Sequence, residues 1–472
     1  MSLPIVMKPF RSACLALVSA AAAVAVASAS RPHYGGTLRV ETAGVIRGAD
    51  PASPPSDAAE AASRNRIMPL VFETLTMVDG EVRLQPGLAV SWESSNGRWR
   101  FRIRGGVALH DGSVLQAWQA AASLRAANPS WAVEADGDVV IIDRAPIDLP
   151  WELARGRNAV AVRTPGGALV GTGAFRVDRI DDRRIVLRAH DGYWNARPFL
   201  DAVQIEMGRP AVDQLASIER GAADFVSARP LDVRRLSQRG VRTVASSKPL
   251  ELVALVFEPH RANADNEVVR AALAASIDRD ALSTVLLQRQ AAPARTLLPP
   301  WISGYAPREV TGPDPAGARK AAAALTQAQR SVVVRVDPGD AVSQAMAERI
   351  AVDAREAGFS VTVQAPSGLA PRSDVRVVRV PLELATPDRA LAGVVAALGP
   401  RVTALATSDV LPTAGAGTDA VYQAENGLLE HSIIVPIVHL RDLYAIGDRV
   451  HLWNAPALLR SGALNLANAW IE

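Results

Sequence analysis

The chain has 472 residues, of which 49% are hydrophobic and 21% charged; this is enough for two or three domains and leaves too much Val, Ile and Leu for extensive disorder. Its 51 basic and 48 acidic residues give a formal charge of +3 and are interspersed, unlike the basic stripe of a nucleic-acid-binding protein. The single cysteine, Cys14, excludes an internal disulfide and a structural zinc site of the cysteine type.

The first thirty residues have the pattern of a secretory signal peptide. Lys8 and Arg11 form a positive region, residues 13–27 are apolar, and residues 27–29 make a small-x-small cleavage site. The apolar run is too short to span a bilayer comfortably. We therefore predict cleavage near Ala29 and export to the periplasm, which leaves a cysteine-free chain.

The first half of the exported chain alternates short strands with helices. In residues 98–104 arginines alternate with apolar residues, and this period of two predicts a half-buried strand with a solvated arginine face. Asp181-Asp182 between two apolar runs predicts a hairpin turn. The predicted elements are strand 37–41, helix 57–70, strand 98–104, helix 114–127, strand 139–142, hairpin strands 174–177 and 185–189, strand 202–207, helix 210–220 and strand 224–226.

From residue 250 onward, helices and strands alternate regularly, which predicts parallel crossover units and an α/β lobe. The irregular stretch 293–315 is rich in Pro and Gly and contains Trp301, the aromatic residue that fits a core position least well. The predicted elements are strand 252–257, helices 266–275 and 278–289, helix 315–325, strand 331–336, helix 341–357, strand 359–364, strand 374–380, helix 387–398 and strand 432–440.

Motifs of catalysis and cofactor binding are missing from the sequence. It has no Gly-x-Ser-x-Gly elbow, no His-Glu-x-x-His and no Gly-x-x-x-x-Gly-Lys loop. Residues 171–173 (Gly-Thr-Gly) lack the third glycine of a dinucleotide fingerprint and lead into a strand. None of the seven histidines has a metal-ligand partner at helical spacing, and Asp111 in His110-Asp111-Gly112 is predicted to accept a turn hydrogen bond. We predict no catalytic residue, no metal site and no cofactor.

Several phrases, in collinear order, resemble the extracytoplasmic solute-binding proteins of family 5, which serve peptide, nickel and opine ABC importers. The resemblance covers residues 35–305 well and residues 306–472 loosely. The phrases are Gly36–Val40, Leu70–Leu75, Leu84–Glu93, Arg98–Gly112, Val170–Phe175, Tyr193-Trp194, Pro198–Asp201, Val268–Leu282, Leu298–Pro300 and Gly304-Tyr305.

The resemblance implies an α/β fold, a two-lobed periplasmic binding protein of type II, large and similar to peptide-binding proteins, with a small extra subdomain. The first lobe (lobe 1) would comprise residues 30–250, including a trimmed subdomain at about 61–165. The second lobe (lobe 2) would comprise residues 258–430, and residues 431–472 would return to the first. Strands 252–257 and 432–440 would be the two hinge crossings.

Four residues are the candidate ligand contacts. Thr42 and Arg47 lie in the loop after the first strand, the most generic position for a cleft. Arg157 follows a segment similar to one in which nickel-binding members place an arginine; a solvated loop arginine is the alternative, and the one we favour. Glu383 stands in the stretch where peptide-binding members carry an acidic anchor, but this stretch lacks the family's Trp and Asp-Tyr pair.

Helix 341–357 offers a further place for an anionic ligand at its start, residues 337–343. Capping of that helix by Asp340 is the alternative, and the one we favour.

The resemblance thus predicts a monomeric substrate-binding protein of an ABC importer that captures a small, peptide-like or related solute and delivers it to a membrane permease, without nucleic-acid partners. Two alternatives remain open. One is a binding-protein-like domain that serves as a sensor or chaperone without transport. The other is a secreted hydrolase, which the missing nucleophile motif and metal cluster disfavour.

Overall fold

One mixed sheet of eleven strands passes through most of the molecule. The computed structural model that shows it describes residues 31–472, apart from 80–82, 144–145, 147, 240, 242, 307–311, 365–372, 384, 407–410, 453–463 and 465. The predicted signal peptide, residues 1–29, lies outside the described residues. Residues 31–33 have no regular secondary structure, and Tyr34–Glu472 form one structural unit.

The strands formed by the described residues are β1 (Thr37–Glu41), β2 (Thr76–Val78), β3 (Leu84–Pro86), β4 (Ala89–Ser95), β5 (Arg98–Ile103), β6 (Ala132–Asp136), β7 (Val139–Asp143), β8 (Val162–Arg163), β9 (Leu169–Val170), β10 (Phe175–Ile180), β11 (Arg184–Ala189), β12 (Ala202–Glu206), β13 (Phe225–Ala228), β14 (Thr243–Phe257), β15 (Ala291–Pro293), β16 (Ser331–Arg335), β17 (Ser360–Gln364), β18 (Val375–Pro381), β19 (Ile434–Ile446), β20 (Val450–Leu452) and β21 (Ala469–Ile471).

The α-helices of the same residues are α1 (Ala58–Ile67), α2 (Ala117–Ala127), α3 (Leu149–Leu153), α4 (Ala211–Glu219), α5 (Val233–Gln238), α6 (Ala262–Asp265), α7 (Glu267–Ser276), α8 (Arg279–Ala281), α9 (Pro300–Ser303), α10 (Pro315–Ala323), α11 (Ala341–Glu356), α12 (Pro387–Leu398), α13 (Pro400–Leu405) and α14 (Thr418–Leu429). Short 3₁₀ turns cover Met68–Leu70, Gly156–Asn158 and Pro230–Asp232, and a π-helical turn covers Leu282–Leu286.

The large sheet has two halves joined by its two longest strands. The strand order is β10-β11-β12-β1-β13-β19-β14-β18-β16-β17, with β15 also paired to β19. In one half β1 is parallel to β12 and β13, and in the other half β16 is parallel to β17 and β18. Strands β14 and β19 run antiparallel to each other through both halves.

The half of the sheet that contains β16–β18 is covered on both faces. Along β14, Val253, Leu255 and Phe257 belong to one buried cluster, whereas Leu252 and Val256 belong to another. Successive side chains of a strand point to opposite faces, so a strand buried on both sides is a continuous apolar run. The apolar sequence 252–257 is therefore explained by two helical layers, one on each face of lobe 2. A separate cluster around Leu38, Phe175 and Phe225 forms the core of lobe 1.

A second, smaller sheet packs against helix α2. Its antiparallel strand order is β4-β5-β7-β6, and its buried side forms a cluster of its own with α2 and α3. The other side carries the arginines of β5, where Arg98 lies 3.1 Å from Asp143 and Arg102 lies 2.7 Å from Asp138. The predicted solvated arginine face is thus confirmed, because these exposed arginines pair with acids of β7 and of the turn between β6 and β7.

The Gly-Thr-Gly segment 171–173 is a site of close backbone packing. A Cβ atom at Gly171 would lie 2.1 Å from the carbonyl oxygen of Val71, and one at Gly173 would lie 2.4 Å from that of Leu70. Two phrases of the resemblance, 70–75 and 170–175, therefore occur together because one backbone lies directly on the other.

Burial lowers the pKa of three described histidines, His110, His190 and His439, and two of these shifts are large. The pKa of His110 is lowered to about 4 mainly by burial; its Nδ1 accepts a hydrogen bond from the Gly171 N–H (3.1 Å), and its Nε2 lies 3.1 Å from the Gly173 carbonyl oxygen. The pKa of the buried His439 is also lowered to about 4 by burial, and its Nε2 lies 3.1 Å from the Leu297 carbonyl oxygen.

We expect the free energy of unfolding to fall as the pH decreases from about 6.5 to about 4. The unfolded chain protonates His110 and His439 near their ordinary pKa, whereas the folded chain binds the proton only near pH 4, so acid favours unfolding within this window. Each histidine can contribute at most about 1.4 kcal/mol per pH unit. Urea unfolding at several pH values measures the slope, which His110→Asn should reduce.

His431→Gln is the control, because His431 is exposed and pairs with Glu267 at the surface. An equal slope in the wild type and His110→Asn would contradict the assignment.

The structure corrects several predicted elements. Helix 278–289 is instead the single turn α8 followed by the π-helical turn over 282–286, and the predicted strand 252–257 is the second half of the longer β14. Helix α14 was not predicted; its N-cap, Gly417, makes no side-chain capping bond, so the usual start signal is missing. The predicted turn at Asp181 is confirmed, because its carboxylate accepts the N–H groups of residues 183 and 184.

Candidate functional site: the cleft between the lobes

The two lobes are joined where β14 and β19 cross between them. The pairing of these strands shifts register between Ser246 and Pro249 and again between Pro249 and Glu251. Proline has no N–H to donate, and such irregularities bend a strand. The bend is fixed by Ser247, whose hydroxyl oxygen accepts the Asp442 N–H at 2.9 Å. The crossing is therefore a defined bend rather than a continuous ladder.

The carboxyl ends of the strands in both lobes point toward this crossing. Strand β13 ends at Ala228, which is in register with Leu443, just before the bend. Strand β18 ends at Pro381, which is in register with Glu251, just after it. Because β1 is parallel to β13 and β16 to β18, four carboxyl ends approach the crossing from two sides. Ligands of open α/β sheets bind in crevices at such ends.

On the lobe 1 side, the loop after β1 is attached to helix α1. The hydroxyl oxygens of Thr42 and Ser63 are 2.6 Å apart, and Arg47 Nη1 donates to Glu60 Oε2 at 3.0 Å. The pKa of Glu60 is lowered to about 2, chiefly by hydrogen bonds from Ser56. The structure therefore brings Thr42 and Arg47 together on one side of the cleft and gives both of them partners within their own lobe.

A small cavity of about 10 Å³ adjoins this loop. This volume is near the minimum for one water molecule. Its lining residues include Glu41, Thr42, Arg66, Ser227 and Tyr444. Thr42 thus borders a small cavity with a mixed polar and apolar lining at the carboxyl ends of β1 and β13.

On the lobe 2 side, the start of helix α11 is occupied by the chain itself. Asp340 accepts the Ser343 N–H at 3.1 Å and also receives Arg379 Nη1 at 3.1 Å. Arg379 additionally pairs with Glu251 of β14. The capping interpretation of Asp340 is confirmed, and one of the N–H groups that an anionic ligand could use there, that of Ser343, is already bonded.

Arg157 and Glu383 become connected through residues that were not predicted. Glu152, on helix α3, is 3% exposed and accepts Arg155 Nη1 at 3.1 Å and Arg157 Nε at 3.0 Å. Arg155 also pairs with Glu383 of lobe 2. The structure therefore brings two of the four predicted residues to the same group of charges without direct contact between them.

Arg389 of helix α12 completes this group. Its Nη1 donates to Glu152 at 3.1 Å, and its Nε pairs with Asp148. We call these side chains the interlobe ion network; its members are Asp148, Glu152, Arg155, Arg157, Glu383 and Arg389. Burial raises the pKa of Glu152, but the hydrogen bond from Arg157 and the charges of Arg155 and Arg157 outweigh it, so the pKa is lowered.

Four members of the network were missed from the sequence. The sequence around them carries no motif for ligand binding. Glu152 and Arg155 lie three positions apart near a short helix, and Arg389 lies in the first turn of α12, after Pro387. Their partners across the cleft are distant along the chain, because Arg155 pairs with Glu383 and Arg389 pairs with Glu152. No local signal could have paired them.

Trp301 lies between the lobe 2 core and the crossing. Its ring packs against the second lobe 2 cluster, and Lys248 Nζ of the β14 bend lies 5.3 Å from the ring centroid. Trp301 was predicted to fit a core position least well among the aromatic residues. In the structure it is half-buried, and a cation lies over the face of its ring.

Neither a group of metal-ligating residues nor a membrane-spanning helix is found in the described part of the chain. Within it, no three His, Cys, Asp or Glu residues are grouped so as to hold a metal ion. No helix found among those residues has both the length and the apolar character needed to cross a bilayer.

Separate buried clusters in the two halves of the large sheet, two strands that cross between the halves, and facing strand ends together define a two-lobed periplasmic binding protein. Solved structures agree with this fold. An ABC transporter substrate-binding protein from Listeria monocytogenes, CtaP, has a TM-score of 0.77 at 15% identity, covering 93% of this chain and 99% of its own. NikA from Brucella suis, solved in complex with Fe(III)-EDTA, has a TM-score of 0.74 at 18% identity, covering 93% and 100%.

The family follows from the sequence comparison. The model of the bacterial extracellular solute-binding proteins, family 5 Middle, matches residues 83–376. The chain belongs to this family. The dipeptide-binding protein of Escherichia coli is 26% identical over 138 residues, which are 29% of this chain and 26% of that protein. The curated relatives are matched over only 24% to 29% of their own lengths.

Proposed function

We propose that this chain is the extracytoplasmic substrate-binding protein of an ABC importer, which captures a small peptide-like or related solute between its lobes and delivers it to a membrane permease. The observation that carries the proposal is the crossing of β14 and β19, at which carboxyl ends of strands from both lobes face one cleft. A ligand that contacts both lobes stabilises the closed form, because its binding energy is available only there.

The proposal includes the processing and division of the chain. Residues 1–29 would be removed near Ala29, and the exported protein would act in the periplasm as a monomer without enzymatic activity. The first lobe would contain residues 30–250 and the second lobe would contain residues 258–430, with residues 431–472 returning to the first. We place the hinge itself at the bend over residues 246–251, where the pairing of β14 shifts register.

Peptide-like ligands are supported by the name of the dipeptide-binding relative. Arg157, 55% exposed, and Glu383, 44% exposed, retain free surface beside the interlobe ion network and are the candidates for charged ligand groups. Thr42, at the small cavity, and the exposed Arg47 are the candidates on the lobe 1 side.

Thermal unfolding of the purified protein against a ligand panel tests this function. The panel contains dipeptides, oligopeptides, nickel with and without histidine, metal chelates, opines and short glycans. A specific ligand at a hundred times its dissociation constant adds about 2.7 kcal/mol to the free energy of unfolding. We expect one ligand class to raise the melting temperature by a few degrees.

Variants then separate ligand contact from stability. Glu383→Gln and Arg157→Ala should reduce the ligand-induced shift, whereas Glu93→Gln, at an exposed position of the small sheet, should leave it unchanged. A flat panel on folded protein would contradict solute capture and favour the alternative of a sensor or chaperone, for which capture of a protein partner is the next measurement.

A further inference from the structure

Three ion-pair contacts of the interlobe ion network cross from one lobe to the other. Arg389 contacts Asp148 and Glu152, and Arg155 contacts Glu383. The helix that carries Glu152 packs in the cluster of the small sheet, whereas the helix that carries Arg389 packs in a lobe 2 cluster. These contacts therefore join two bodies with separate cores, and lobe opening would break all three.

Opening would affect the members unequally. Glu152 would keep Arg155 and Arg157, which lie near it in the chain. Arg389 would lose its two carboxylate partners, Asp148 and Glu152, because both belong to the other body. Arg389 is thus the residue on which the closed arrangement depends most.

The network balances its own charge, with three carboxylates against three guanidinium groups. Because the charges cancel around the nearly buried Glu152, the network does not require a charged ligand group to neutralise it. In the open form the separated groups would regain water, so the net gain on closure is moderate rather than large. Most of its members remain partly exposed, so salt should screen their attraction.

We propose that the contacts of Arg389 with Asp148 and Glu152, and of Arg155 with Glu383, form an electrostatic latch that holds the lobes closed before ligand binds. The inference rests on the proposed function, since it assumes lobes that open and close. If the latch exists, the closed-to-open ratio of the ligand-free protein depends on ionic strength. The ligand then binds to a protein that is already mostly closed.

Distance measurement between spin labels in ligand-free protein tests the latch. In a Cys14→Ser background, Ser130→Cys beside the small sheet and Glu356→Cys at the end of α11 place exposed labels on the two bodies. We expect one short distance at low ionic strength and a second, longer distance in molar salt. Because it removes two ion pairs across the lobes, Arg389→Ala should shift the closed-to-open ratio by about tenfold toward the open form already at low ionic strength.

Three controls keep the result specific. Arg102→Ala removes an ion pair of similar geometry that lies within the small sheet and should leave the distance unchanged. A label pair at Val285 and Glu356, both in lobe 2, should be insensitive to salt. Arg155→Ala, Glu383→Ala and the double variant form a cycle in which the two single changes should not add.

An unchanged interlobe distance in Arg389→Ala and in molar salt, with an unaltered melting curve, would overturn the latch. The ligand panel remains an independent measurement. A flat panel with salt-dependent opening would leave the latch and remove the proposed function, whereas ligand binding with salt-independent lobes would do the reverse.

Discussion

Replacing Asp224 with alanine is expected to lower the free energy of unfolding by about 3 kcal/mol, because it removes a carboxylate shared by two arginines. Asp224 is 1% exposed and accepts the backbone N–H of Arg39 at 2.9 Å, its Nε at 2.9 Å and its Nη2 at 2.6 Å. Arg449 Nε lies 3.1 Å from the same carboxylate. Without it, two guanidinium groups would face each other at the junction of β1, β13 and the returning C-terminal segment.

Urea unfolding followed by tryptophan fluorescence measures this effect as the midpoint of the first transition. Asp178→Ala is the matched control, because Asp178 pairs with Arg188 at 3.2 Å on the exposed side of the β10–β11 hairpin. Removal of such a surface pair costs about 1 kcal/mol or less. Equal urea midpoints for the two variants would show that the ion pairs of Asp224 stabilise lobe 1 no more than a surface pair does.

Glu73→Ala is expected to be comparably destabilising, by about 3 kcal/mol, because three hydrogen-bond donors share its carboxylate. The Glu73 carboxylate accepts hydrogen bonds from Thr172 Oγ1 at 2.7 Å, Tyr193 OH at 3.0 Å and Trp194 Nε1 at 2.9 Å. Burial raises the pKa of Glu73, although these three bonds oppose that shift. Removing the carboxylate leaves three donors without this acceptor, each at a cost of about 1 kcal/mol or more.

The melting temperature and the near-ultraviolet circular dichroism of Tyr193 and Trp194 report on this site together. Glu73→Gln should be intermediate, because one oxygen still accepts while the amide group opposes a donor. Glu93→Ala, at a glutamate that is 76% exposed and 3.7 Å from Arg100, should change neither signal. Loss of stability without a change in the aromatic signal would argue against Glu73 as the common acceptor.

The Glu73 contacts explain why several phrases of the sequence occur in one chain. Residues 70–75 supply the carboxylate, residues 170–175 supply Thr172 and the close glycine contacts, and Tyr193-Trp194 supply two further donors. These three phrases of the resemblance therefore contain residues that pack and hydrogen-bond with one another within the fold. This is why the family could be identified while the ligand could not.

Much of the fold could be predicted because its signals are local. The period of two in residues 98–103 marked a half-exposed strand, and the continuous apolar run 252–257 marked a strand buried on both faces. The bend over 246–251 has no such pattern, because it depends on the pairing of β14 with β19, a strand near the other end of the chain.

The same distinction between local signals and distant contacts applies to the predicted site residues. Position after the first strand was enough to nominate Thr42 and Arg47, which follow β1. Glu383 was nominated by the resemblance to the family's acidic anchor, and it follows β18. Their partners were not predictable: Ser63 and Glu60 hold the first two within lobe 1, and Arg155 joins Glu383 from the other body.

The sequence by itself determined the α/β class, the order of most of its elements and the family, because periodicity, turn residues and close-packed phrases are properties of neighbouring residues. Only the tertiary structure decided which charges meet across the cleft. Contacts such as Arg389 with Glu152 join residues 237 positions apart, and ion pairs of that separation are set by the packing of two lobes rather than by any local pattern.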